Sequence, residues 1–67
     1  MESVYKLVEI IGTSNKSWEE AARVAVGTAS KTLRDLRVAE VKEMDIKIED
    51  GDLVFRVKMT VSFKFED

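Results

Sequence analysis

Cysteine, histidine and proline are all absent from this 67-residue chain, and glycine occurs only 3 times. Each absence narrows the field. Without cysteine no disulfide can staple a small core, and without cysteine and histidine a structural zinc ion has no ordinary ligands. The common Ser-His-Asp and Cys-His nucleophilic arrangements are excluded for the same reason. An excess of positive charge is also missing: 11 basic residues stand against 13 acidic ones, for a net charge of −2. That balance gives no electrostatic case for nucleic-acid binding. No apolar run approaches the length of a membrane span, and the N-terminus shows no signal-peptide pattern. Together with the lack of cysteine this points to the cytoplasm. Gly12-Thr13-Ser14 lacks the glycine spacing and the lysine of a phosphate loop, and reads as a strand-to-helix turn.

What is there is 45% hydrophobic and 36% charged, the balance of a folded domain rather than a disordered segment. The length predicts one domain over residues 1–67. At that size a single core is marginal and self-association is the remaining common stabiliser. The strongest pattern is an alternation over residues 53–65. Leu53, Phe55, Val57, Met59, Val61, Phe63 and Phe65 are apolar, and Val54, Arg56, Lys58, Thr60, Ser62 and Lys64 lie between them. Period two marks a strand with one buried face. At about 3.3 Å per residue such a strand reaches roughly 43 Å, whereas a compact globule of this length is roughly 28 Å across. The apolar face outruns its own domain and calls for cover from another copy of the chain.

Val4–Ile11 also reads as a strand, β-branched and aromatic, with Gly12 ending it. Both of its faces are apolar, Val4, Val8 and Ile10 on one and Tyr5, Leu7 and Ile11 on the other, a pattern of strands covered on both sides. Ser17-Trp18-Glu19-Glu20 fits a capping box with Ser17 as N-cap and Glu20 at N3. The spacing predicts a helix from about Trp18 to Leu36. Its stripe is Trp18, Ala21, Ala22, Ala25, Ala29, Thr32, Leu33 and Leu36, and the alanines let it lie close on a sheet. Val24 falls outside the stripe and is a candidate contact with a neighbouring subunit. Arg37–Glu49 reads as a second long strand whose apolar parity shifts between Val41 and Met44, which predicts a bulge or a sharp coil near Lys42–Glu43. Asp50-Gly51 is the expected pair for a type I′ hairpin turn.

The order is β-α-β-β, an α+β fold. A right-handed crossover sets the second strand parallel to the first with a gap between them. The hairpin strand fills that gap, antiparallel to both. The prediction is a three-stranded antiparallel sheet in the order 1-3-2, with odd residues of the central strand facing the helix.

Four segments carry a family resemblance: VYKLVEIIGTS at Val4–Ser14, SWEEAARVAV at Ser17–Val26, RVAEVKE at Arg37–Glu43 and VSFKFE at Val61–Glu66. In order and over nearly the whole length, the chain resembles the dodecins, small proteins whose sheet partly wraps its helix. The resemblance implies a homododecamer, a hollow shell of 23 symmetry, with no enzymatic activity. Many dodecins hold flavins (riboflavin or FMN) in pairs near the two-fold axes. The flavin-binding branch stacks a Trp on the isoalloxazine ring, and that position is Val38 here; its flavin-bonding Gln aligns with Arg56. A valine has no π face to stack, and Arg56 changes both charge and donor pattern. The IIGTS…SWE…RVA pattern is closer to a flavin-deficient, calcium-dodecin-like branch. The resemblance therefore implies a shell that binds and sequesters a small ligand or ion, favouring a cation such as calcium or magnesium over flavin. Flavin storage and a structural oligomer without a ligand are the alternatives.

Read on their own, the carboxylates are the candidate metal ligands. Glu9 stands alone among apolar residues of the first strand, and Glu43 and Asp45 share one face of the second. Hard cations want several oxygen ligands, and one chain offers too few, so symmetry would have to bring copies together. The competing reading, a solvated face with cross-strand ion pairs, is favoured for exposed charges of this kind. Arg56, Lys58 and Lys64 lie on the even face of the central strand. They could hold an anion such as a nucleotide or coenzyme A, which some dodecins bind, but pairing with acids of the second strand is the favoured reading. Trp18, on the helix stripe, reads as core packing rather than as a ligand-stacking residue. No catalytic residue is predicted.

Overall fold

The computed structural model describes residues 2–64. Phe65 and Glu66, the last residues of the strand alternation and of the family segments, lie outside the described residues. Four elements follow one another: β1 (Tyr5–Ser14), α1 (Trp18–Ala29), β2 (Leu36–Glu49) and β3 (Asp52–Lys64). The strands form one antiparallel sheet in the order β1-β3-β2, the arrangement expected from the crossover argument.

The helix starts where the capping residues place it. Ser17 has extended backbone, and its Oγ accepts a hydrogen bond from the Glu20 N–H at 3.0 Å. Glu19 and Glu20 in the first turn complement the positive end of the helix dipole. The helix ends at Ala29, well before the predicted Leu36. Gly27, Thr28 and Ser30 are weak helix formers. The Ser30 hydroxyl donates to the Gly27 carbonyl at 2.8 Å, and the Thr32 hydroxyl to that of Ala29 at 3.4 Å. These bonds satisfy the last carbonyls and let the chain leave through tight turns. Thr32 and Leu33 therefore belong to the connection, and Leu36 opens β2, where it packs on the core as a strand residue.

Gly12 corrects a second expectation. It does not end β1, which runs on to Ser14 with Gly12 opposite Val57. The residue is there for close approach: a Cβ would collide with the Ala21 carbonyl and sit 2.7 Å from the Ala25 Cβ. The helix thus rests its alanine face directly on the β1 backbone. The hairpin turn is as predicted, with φ of 48° at Asp50 and 85° at Gly51, both positive as a type I′ turn requires.

The central odd residues of β3 meet the helix. Val57, Met59 and Val61 are each 1% exposed and form the core with Ala21 and Ala25. Burying each of the three strand side chains stabilises by about 1.5–3 kcal/mol. The expected bulge appears as a register shift between Val41 and Glu43. It keeps Val41 before it and Met44, Ile46 and Ile48 after it on the helix side, as partners of odd β3 residues. A second shift, between Leu36 and Val38, does the same for Leu36, the partner of Phe63.

One helix does not cover this sheet. A helix is about 10–12 Å across and strands lie about 4.8 Å apart, so α1 spans two strands; it packs chiefly on β1 and next on β3. The chain measures 51 × 20 × 14 Å, with a radius of gyration of 13.7 Å where about 11 Å is usual for its length. Its accessible surface is 5304 Å², about 1,000 Å² more than a compact monomer of this mass exposes.

Candidate functional site

The sheet face turned away from the helix carries every residue singled out as a candidate ligand contact. Directly opposed residues on neighbouring strands share a face, so the register reads as rows across the sheet. Ser62 lies between Leu7 and Val38, Thr60 between Glu9 and Glu40, Lys58 between Ile11 and Glu43, and Arg56 between Thr13 and Asp45. Glu9, Val38, Glu43, Asp45 and Arg56 thus share the outer face, in two separate groups. A hollow of about 190 Å³ brings Glu43, Asp45 and Arg56 together with Ile11 and Lys58. A shallower one of about 390 Å³ holds Glu9 and Val38 with Leu7, Glu40 and Thr60.

In the first hollow the charges neutralise one another. Arg56 is bidentate on Asp45, Nε to Oδ1 at 2.6 Å and Nη2 to Oδ2 at 2.7 Å. Parallel N–H···O bonds of this kind are the strong, directional form of an ion pair. The hydrogen bonds from Arg56 hold the Asp45 carboxyl below the usual carboxylate range, and the same bonds raise Arg56. One row on, Lys58 Nζ lies 3.8 Å from Glu43 Oε1. Asp45 is also held from the other side of the sheet. The Trp18 Nε1–H donates to its backbone carbonyl at 3.2 Å, and the Trp18 ring meets Phe55 edge-on at 5.1 Å and 76°. Trp18 packs against the core as its helical spacing predicts. Its hydrogen bond to β2 escapes sequence reasoning, because nothing in a helix stripe says which strand carbonyl lies beneath its first turn.

In the second hollow the outcome differs. Glu40 pairs with Lys42 at 3.3 Å, whereas Glu9 has no ion-pair partner among the described residues. Its exposed carboxylate faces the Thr60 side of the next strand. These are hard oxygen donors, the chemistry that calcium and magnesium select. The number is too small: among the described residues no three acids gather within reach of one ion. Val38 is exposed on the same face and provides apolar surface without a π system. Of the described helices, none is long and apolar enough to cross a membrane.

The order of elements, the sheet order and the placement of these residues can be set against known proteins. The calcium dodecin of Mycobacterium tuberculosis is 49% identical over 63 residues, 92% of this chain and 89% of that protein. Its crystal structure, described as that of a calcium-chelating antigen with a calcium-binding site, matches with a TM-score of 0.88 over 96% of this chain and 93% of that one. The dodecin of Thermus thermophilus is 43% identical over 100% of this chain and 99% of its own length. The dodecin of Streptomyces davaonensis, 31% identical, superposes over the full length of both chains with a TM-score of 0.93. The dodecin family profile itself matches residues 4–66, so the chain belongs to the dodecin family, whose members are non-enzymatic binders of small ligands.

Proposed function

We propose that this chain is the subunit of a homododecameric shell of 23 symmetry that binds and buffers a hard cation such as calcium at sites where copies meet. The observation that carries the cation reading is Glu9, a carboxylate on the candidate face that pairs with no basic side chain among the described residues. Likeness to a calcium dodecin supports it. A single Glu9 supplies one or two of the roughly six to eight oxygens that calcium takes; symmetry-related copies and water supply the rest. Glu43 and Asp45 stand beside this site as secondary ligands, available only if Lys58 and Arg56 release them.

Flavin is the less supported occupant. Val38 cannot stack on an isoalloxazine ring, and the Arg56 guanidinium is already engaged by Asp45. Titration calorimetry with calcium tests the reading. The wild type should give saturable heat and Glu9→Gln should weaken binding by tenfold or more. No heat from the assembled wild type would overturn the cation reading and leave a structural shell. A yellow protein carrying a bound-flavin spectrum would overturn the preference against flavin.

A further inference from the structure

Trp18 joins two elements that otherwise have little contact. α1 packs chiefly on β1 and next on β3. Among the described residues its one hydrogen bond to β2 is the Trp18 Nε1–H donated to the Asp45 carbonyl at 3.2 Å. That carbonyl belongs to the peptide unit between Asp45 and Ile46, where β2 turns one side chain outward and the next toward the helix. Asp45 opposes Arg56 on the outer face, and Ile46 opposes Phe55 on the helix side. The Trp18 ring meets the same Phe55 edge-on at 5.1 Å. The indole therefore grips β2 and β3 at one register position, behind the place where Arg56 closes on Asp45 at 2.6 and 2.7 Å.

We propose that Trp18 is a positioning residue for the outer face: it fixes the β2 backbone where the Asp45 carboxylate meets the Arg56 guanidinium with both oxygens, and so withholds Asp45 from a bound cation. The second half rests on the cation reading above; the first does not.

Three observations carry it. The first is the geometry of the pair. A guanidinium fork on a carboxylate is directional and tolerates little backbone displacement. Both side chains are exposed, so packing around them does not supply the alignment, and exposed ion pairs held by nothing else are loose. The second is the condition of β2. It is an edge strand, and its ladder is interrupted between Val41 and Glu43, just before this point. The neighbouring pair is an internal control. Lys58 and Glu43, one row on and beside the bulge, meet at 3.8 Å through a single contact. The third is the choice of ring. A phenyl group would pack on Phe55 as well; the indole adds an N–H that needs an acceptor, and the acceptor it finds is the Asp45 peptide. The consequence is the contrast between the two hollows. The Asp45 hollow is closed by its own ion pairs, which leaves Glu9 to bind the ion.

The chain holds 1 Trp, so its indole N–H signal is unambiguous in ¹⁵N nuclear magnetic resonance. The Arg56 Nε–H signal is assigned by its loss in Arg56→Gln. Two changes at position 18 are compared without calcium: Trp18→Phe, and replacement of the indole by benzothiophene, which keeps the two-ring shape and lacks the N–H. Circular dichroism and light scattering check that fold and assembly match the wild type. Solvent exchange of the Arg56 Nε–H should rise about two- to tenfold in the benzothiophene protein, the equivalent of one lost neutral hydrogen bond. Trp18→Phe should do the same. Wild-type exchange in the benzothiophene protein would overturn the proposal and leave Trp18 as packing alone. The coupling must also run backwards. Arg56→Gln should speed exchange of the Trp18 indole N–H from the opposite face, and an unchanged indole would overturn it. Calorimetry with calcium tests the second half. Asp45→Asn should leave calcium affinity unchanged in the wild type and weaken it in Trp18→Phe; equal effects in both backgrounds would overturn the withholding role. No calcium heat in any background would overturn the cation reading, a distinguishable result, because the exchange measurements are made without calcium.

Discussion

β2 and β3 turn equally apolar side chains to the same side of the same sheet, and their fates differ. Val57, Met59 and Val61 of β3 are sealed, whereas their neighbours Val41 and Met44 of β2 are 50% and 53% exposed. Hydrophobicity does not separate them. Position does: β3 is central and lies under α1 and beside β1, whereas β2 is an edge strand on which α1 rests little beyond the Trp18 hydrogen bond at Asp45. A β-α-β-β chain has one helix for three strands, so part of its apolar face is core and part is left exposed. The β3 residues hold the subunit together, and under the proposed assembly the β2 residues are free to join subunits.

The largest effect should come from β3. Val61→Asp places a charge with no partner in the sealed core, a burial too costly for a small domain of ordinary stability. Far-ultraviolet circular dichroism should show loss of structure, and soluble assembled protein should not be recovered. Met44→Asp makes the same chemical change one strand over. It should abolish the large particle in light scattering, and the unfolding midpoint of what remains should become much lower than that of the wild type. An assembled Met44→Asp particle would erase the distinction between the two strands' roles.

Gly12→Ala sharpens the comparison from the helix side. The added Cβ meets the Ala21 carbonyl and Ala25, so α1 must lift from β1. Overpacking of this kind costs about 1–3 kcal/mol, to be read from denaturant midpoints. The smallest effect belongs to the outer face. Asp45 is held below its ordinary range by the Arg56 hydrogen bonds. Its contribution is present above the unfolded carboxylate value of about 3.9 and is lost as pH falls through the lower folded value. Asp45→Asn removes that contribution. Its deficit relative to the wild type should be constant near neutrality and shrink below about pH 4, as seen in thermal melts across that range. The pair is exposed, so the deficit should be slight.

The same contrast explains what could be read in advance. The element order, the 1-3-2 sheet, the Ser17 cap, the Asp50-Gly51 turn and the bulge at Lys42 were legible, because each leaves a local signature of period, cap or parity. The helix end was not. Thr32, Leu33 and Leu36 continue the three- and four-residue spacing by coincidence, while Gly27, Thr28 and Ser30 weaken the helix before it reaches them. Gly12 misled in the opposite sense, since a glycine chosen for close packing looks in sequence like one that ends a strand. The candidate carboxylates were legible as residues on a face. Their division into paired Glu43 and Asp45 and unpaired Glu9 was not, because the pairing depends on a register known only once the strands are set side by side.

The mass of the wild-type particle in solution tests the division between β2 and β3 most directly. Multi-angle light scattering at neutral pH should give about twelve times 7.6 kDa, held steady on dilution. A mass of one subunit, unchanged as concentration rises, would contradict it, for it would show the bare face of β2 stable in water on its own.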